Sequence, residues 1–341
     1  MRASVAAELD TCSAREISPS RSAWLFAGAA AGVIGLSCAL AGFAPLGFSI
    51  AAVFLFAGPH NWLEARYMLT RMPARWGPLA PYFLTGIGGV LLLTGSFALL
   101  PWIGGGLSGS GWNNLLATWN TLLIGWIVTL ALLRSRQNPR RDWTWLVPIG
   151  LTLVALNWLW PFALSLALVY LHPLLALWFL DREIGRMQPA WRTAYRGCLL
   201  LVPACLALLW GNLAYSPNLP GDDVLTSQIT SHAGGGILNG ISTHLLVATH
   251  VFLEMLHYGV WIVAIPLISV RMAPWKLDNV PLARRSGFWR TAVIGAIATG
   301  AIVMLLLWGA FLADYPLTRN VYFTVAMLHV LAEVPFLLRL L

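Results

Sequence analysis

Long apolar blocks separated by short polar breaks run the length of this chain. Blocks of bilayer-crossing length fall at about 23–45, 46–68, 81–102, 113–134, 143–160, 161–181, 197–215, 241–270, 290–314 and 320–341. They predict an all-α polytopic membrane bundle of about ten transmembrane helices. The boundary between the fifth and sixth rests on Trp158-Leu-Trp160-Pro161, where proline ends a helix and the indoles suit headgroup depth. One block is unusual. Within 241–270, the stretch THVFLEMLH (249–257) carries His250, Glu254 and His257. On a helix, Glu254 lies about 40° round from His250 and His257 about 20° from it, so the three form one polar stripe. An ionisable group at that depth costs several kcal/mol unless it is paired or bound.

Composition agrees with the block pattern: of 341 residues 58% are hydrophobic and only 10% charged, and the mean hydropathy is +0.73. The net charge of +8 changes meaning once it is mapped. Arg66, Arg71 and Arg75 follow the second block, and Arg134, Arg136, Arg140 and Arg141 the fourth. Arg182, Arg186, Arg192 and Arg196 follow the sixth, and Arg271, Lys276, Arg284, Arg285 and Arg290 the eighth. The intervening connections contain only Arg319. Every second connection is therefore basic, which predicts both termini on the cytoplasmic side and anionic lipid, not nucleic acid, as the partner of the positive charge. Residues 1–22 are expected to be a cytoplasmic tail and 23–341 a single ten-helix transmembrane domain, multi-pass in a bacterial inner membrane. The connection 216–240, with AGGGILNG, reads as a flexible outer linker. The four cysteines have neither metal-ligand nor disulfide-framework spacing.

The candidate chemistry lies in the even-numbered blocks. Three of the six glutamates follow a histidine by four residues: His60/Glu64, His250/Glu254 and His329/Glu333. At that spacing both side chains of a pair present to the same neighbour. His172 occupies the sixth block without such a partner. At 1.5 Å per residue, His60, His172, His257 and His329 fall between the midplane and the cytoplasmic half, so four helices aim imidazoles at one level. His232 and His244 read as peripheral. Imidazole with carboxylate suits iron, zinc, manganese or copper, and Glu254-x-x-His257 has the spacing by which helical bundles hold paired iron. No thiolate or thioether cluster points to copper(I). The predicted metal ligands are His60, Glu64, His172, His250, Glu254, His257, His329 and Glu333. Competing readings are helix–helix hydrogen bonding, and ion pairs of Glu64 with Arg66 or Arg71 and of Glu333 with Arg339. Eighteen tryptophans are expected mostly as anchors and packing, a few lining a groove for an apolar chain. Asn120, Asn157 and Asn212 read as interhelical hydrogen-bonding groups.

GPHNWLE, LHPLLALW, the multi-histidine eighth block and MLHVLAE together resemble, in order and context, the Brp/Blh-type carotene dioxygenases. That resemblance implies a multi-span fold whose histidines hold one non-haem iron that cleaves carotene to retinal. The family's early motif runs Pro-His-Gly and then aspartate, whereas this chain has Pro-His-Asn-Trp-Leu-Glu; the added glutamates imply a different or second metal ion. The expectation is therefore a membrane oxygenase or oxidase using one or two non-haem iron ions on a carotenoid, isoprenoid or acyl chain, with a redox partner. Alternatives are a bis-histidine haem electron carrier, a proton-coupled transporter using the His/Glu stripe, and a membrane scaffold.

Overall fold

The computed structural model describes residues 19–137, 142–268 and 277–340. The helices are α1 (Pro19–Phe43), α2 (Pro45–Arg71), α3 (Ala80–Gly104), α4 (Gly109–Gln137), α5 (Leu146–Leu159), α6 (Phe162–Met187) and α7 (Arg192–Leu199). They continue as α8 (Leu201–Leu213), α9 (Val224–His232), α10 (Thr243–Gly259), α11 (Ile265–Ile268), α12 (Gly287–Ala313) and α13 (Tyr315–Leu340). No strand occurs among the described residues. Most of the tail 1–22, and the basic residues Arg140, Arg141, Arg271 and Lys276, lie outside them.

Nine helical segments among the described residues are long and apolar enough to cross a membrane; α7 with α8, and α10 with α11, each count as one. The chain is thus a helical membrane bundle by length and composition. The tenth expected span, 143–160, is a 14-residue helix. That is about 21 Å long, short of a hydrocarbon core of roughly 30 Å. Residues 143–145 do not extend it: they form a turn in which the Leu146 and Val147 amides reach back to Trp143 and Thr144. The connection 216–240 is not a linker either. Asp223 caps α9 by accepting from the Thr226 amide at 2.8 Å, and those bonds hold its carboxyl below the usual range. Ile229 and Ala233 are buried and pack with Leu246 and Val247 of α10. Gly234 makes the turn after α9 with φ +91°, a conformation in which a Cβ would also strike Leu166. The predicted outer loop at 315–320 is instead the start of α13. Asp314 caps it through the Leu317 amide, and Pro316 suits a first turn.

Helix α10 is the axis of the bundle, with 11 of its 17 residues buried. At the other extreme α12 buries three of 27 and presents leucines such as Leu305, Leu306 and Leu312 outward, as a lipid-facing helix should. Indoles join the helices: Trp62 donates to the Ile297 carbonyl at 3.0 Å and Trp308 to that of Phe54 at 2.8 Å, fastening α12 to α2. Trp119 and Trp126 donate to Leu93 and Thr85, fastening α4 to α3. The last of these needs Gly89, where a Cβ would lie 1.8 Å from the Trp126 Nε1. Gly89→Ala is therefore expected to destabilise the purified protein by about 1–3 kcal/mol, the usual cost of overpacking. A thermal midpoint unchanged from wild type would show that the indole moves aside freely.

Asn120 and Asn157 bond across helices at 2.8 Å, whereas Asn212 donates within its own helix to Leu208 and is exposed. The C-terminal ends of α2, α6 and α13 meet at one end of the bundle. There Arg71 pairs with the fully buried Glu183, Arg339 donates to the Arg71 carbonyl, and Asp181 accepts from Arg192 and Arg196.

The helices that carry the candidate site are locally irregular. Pro59 precedes His60 inside α2, Pro173 follows His172 inside α6, and Pro335 lies two residues beyond Glu333 inside α13. Each removes an i→i−4 hydrogen bond without ending its helix. Directly after α10, three residues beyond His257, a π-helical turn runs over Val260–Ala264, an insertion that alters the facing of neighbouring side chains.

Candidate metal centre

His60 and Glu64 come from α2, His172 from α6, His257 from α10, and His329 and Glu333 from α13. The structure brings these six together. Ring centroids of His60 lie 5.3 Å from His257 and 5.1 Å from His329. Those of His172 lie 4.8 Å from His257 and 5.4 Å from His329, and His257 and His329 are 6.0 Å apart. Two overlapping ligand groups result. His60, Glu64, His257 and His329 each offer an atom within 4.8 Å of all the others, and so do His172, His257 and Glu333. His257 belongs to both.

The hydrogen bonding leaves these groups facing inward. His60 Nδ1 meets the Phe56 carbonyl at 3.0 Å. A carbonyl can only accept, so Nδ1 carries the proton and the Nε2 lone pair is left for the cluster. His172 Nδ1 stands 3.4 Å from Glu333 Oε2. Nε2 of His172 and both ring nitrogens of His257 are buried without a hydrogen bond among the described residues, while Glu64 has the carboxyl of Glu333 beside it and His329 the backbone of Val325 and Ala326. At about 1–3 kcal/mol for each unsatisfied group, this burden is a large fraction of the stability of a folded domain. Among the described residues no arginine or lysine forms an ion pair with either carboxylate. Arg71 is engaged with Glu183 and Arg339 with the Arg71 carbonyl, so the ion pairs that would have explained Glu64 and Glu333 are not formed. The two glutamates instead lie close enough to act on each other electrostatically. Six inward-facing N and O donors, two of them carboxylates, match what a divalent cation or a pair of them requires.

Compared with the models of known protein families, with curated proteins and with solved structures, the chain matches none. The reading of the site therefore rests on its geometry.

His250 and Glu254 lie outside both ligand groups. Glu254 Oε1 accepts from the Tyr258 hydroxyl at 2.6 Å, and the His250 ring faces His232 at 4.9 Å and Tyr170 at 6.4 Å. The Glu254-x-x-His257 spacing thus does not deliver both residues to one cluster. His244 reaches the Gly42 carbonyl at 3.3 Å, away from the site. His232, read from sequence as peripheral, lines the same cavity as the cluster and stacks on Phe323. Burial, with His250 and Arg319 nearby, pushes its imidazole well below the ordinary histidine range.

Two further residues escaped sequence reasoning. Tyr258 places its ring 4.5 Å from His60 while bonding Glu254, so it joins the two parts of the site. Its signal was legible: it lies four residues after Glu254 and continues the stripe. Arg319 is buried at 3% exposure with its guanidinium 4.6 Å from the centre of the Phe323 ring. Nothing local distinguished it from a loop arginine.

The cluster forms a wall between two cavities. One, of about 410 Å³, is lined by His60, His172, His257 and His329 together with His232, His250, Glu254 and Tyr258. The other, of about 420 Å³, lies between α2, α12 and α13, with Glu64 and His329 in its lining beside Asn61, Trp62 and Met304. Both are mostly apolar and of a size suited to small-molecule ligands.

Proposed function

We propose that this protein is a membrane-embedded non-haem metal oxidoreductase, an oxygenase or oxidase, whose substrate is a lipophilic molecule such as an isoprenoid, carotenoid or acyl chain. The observation that carries the proposal is the set of six ligand-type side chains from four helices, four of them buried and His172 and His329 half-buried, gathered within ligand distance of one another. His60, Glu64, His257 and His329 would hold one ion. His172 and Glu333 would complete a second site through the shared His257, or orient the first as a carboxylate–imidazole pair. Four such donors would also suit zinc; iron fits the same donors and supplies the redox chemistry proposed here. When bound, such a metal supplies electron transfer and dioxygen activation toward a carbon–hydrogen or carbon–carbon double bond.

The protein's own residues do the rest. The Phe56 carbonyl fixes the His60 tautomer. Glu64 and Glu333 contribute the negative charge that offsets a divalent ion. The apolar cavity walls bring a hydrophobic molecule beside the imidazoles and keep bulk water away. The electrons are supplied by a redox partner meeting the basic end of the bundle, where α2, α6 and α13 terminate; that end faces the cytoplasm, with α5 embedded as the tenth, short span. Haem is disfavoured by the spacing: with four imidazole rings 4.8–6.0 Å from their neighbours, a macrocycle between any two would collide with the others.

Metal analysis of the purified full-length protein, with an optical spectrum, tests the reading. Stoichiometric iron without a Soret band is expected, falling sharply in His60→Ala. A folded wild-type protein free of metal after expression with ample iron would overturn the proposal, and a Soret band would transfer the histidines to haem.

A further inference from the structure

The 410 Å³ cavity has two unlike ends. At one are the four clustered imidazoles; at the other are His232 and His250, with Glu254 and Tyr258 between. His250 is seven residues before His257 on α10, so the ends are separated by about 10 Å, and Glu254 stands about 5 Å from the cluster level. The walls between them are apolar: Phe97, Trp119, Leu166, Val169 and Met327 among others. A wholly apolar occupant would leave the second end unsatisfied.

The chemistry of that end is specific. Glu254 uses Oε1 to accept from Tyr258, while Oε2 is buried and has no donor. Behind Phe323 the buried Arg319 acts electrostatically on Glu254 without pairing to it. An anionic ligand group would meet the Glu254 carboxylate, and a cationic one would add a second positive charge to the field that Arg319, outside the cavity lining, already exerts on Glu254; neither charge is well compensated. A neutral group avoids both. Glu254 Oε2 is the unused atom on a residue lining this end, whereas the unused donor Arg319 Nε belongs to a residue outside the lining; the ligand group must therefore donate a hydrogen bond. Among neutral groups borne by lipophilic chains, a hydroxyl does so, and its oxygen can in turn accept from an imidazole N–H of His232 or His250.

We infer that the cavity binds an alcohol: a hydrophobic chain whose hydroxyl is held at the His232/His250/Glu254 end, with a chain position some 5–10 Å away set beside the imidazole cluster. That this selects a substrate rests on the metal-centre reading above; the binding does not.

The test uses full-length protein in nanodiscs and a twelve-carbon primary alcohol carrying a diazirine at its far end. The methyl ether, carboxylic acid and primary amine of the same chain serve as comparisons. Photolabelled residues are mapped by mass spectrometry, and iron is measured on the same samples. The alcohol is expected to label the cavity wall, displaced by 1-dodecanol, at least about ten-fold more efficiently than the ether, the acid or the amine. Glu254→Leu should lose that preference, while Glu254→Gln, which keeps an acceptor oxygen, should retain most of it with unchanged iron content. Equal labelling by alcohol and ether in the wild type, or preference for the acid or amine, overturns the inference even if Glu254→Leu does not fold. An iron-free protein that still selects the alcohol would uphold the binding inference and sink the metal-centre reading, so the two fail separately.

Discussion

Replacing His257 by alanine should abolish metal binding outright, because this imidazole is the ligand common to both groups. Changes to groups that merely orient a ligand cost roughly 10–100-fold in metal affinity. Loss of the shared ligand should exceed that, leaving iron at background after purification. His250→Ala, on the same helix and equally buried, should keep its iron, since His250 faces His232 and Tyr170 instead. The pair of variants makes the result informative: both remove an imidazole from α10 and leave a similar hole. If both lose iron equally, the two-ended description of the stripe is wrong. If neither does, the cluster is not the metal site.

The second large effect is a reversal of sign. Glu64 and Glu333 are buried, adjacent and, among the described residues, in no ion pair with arginine or lysine. In protein stripped of metal by a chelator, they should cost several kcal/mol per charge. The double variant Glu64→Gln, Glu333→Gln keeps shape and removes both charges. Metal-free, it should unfold at a higher temperature than metal-free wild type. With iron present the order should reverse, because only the wild type gains the stabilisation that follows from ligand binding, about 4 kcal/mol at a thousand times the dissociation constant. Thermal unfolding of the four samples decides it. A double variant less stable than wild type in both states would mean that the carboxylates serve packing or hydrogen bonding and not charge compensation.

How far the sequence led differs between fold and site. The membrane class and nine of the ten expected spans could be read because hydrocarbon exacts a cost at every polar residue it meets. At α5 the apolar stretch is long enough to span, but its first residues turn and the helix itself has 14 residues. At 216–240 the three glycines suggested slack, yet the capped helix α9 ahead of them buries Ile229 and brings His232 to the cavity. The prolines beside His60, His172 and Glu333 were visible too; their coincidence at one level was not, since it depends on how the helices are stacked.

Sequence alone determined which long helices carry the six clustered groups and where along each they lie, because both follow from residue position and a rise of 1.5 Å per residue. It could not determine which way those groups turn. His60/Glu64 and His250/Glu254 share one spacing, and nothing local tells them apart. The first pair meets His257 and His329 from α10 and α13; the second is drawn aside by Tyr258 and by the neighbourhood of Arg319. His172, which has no glutamate a turn away, finds Glu333 on another helix. The rotation of each helix about its axis is set by all the side chains it packs against. That is a property of the assembled bundle, and only the tertiary structure decided it.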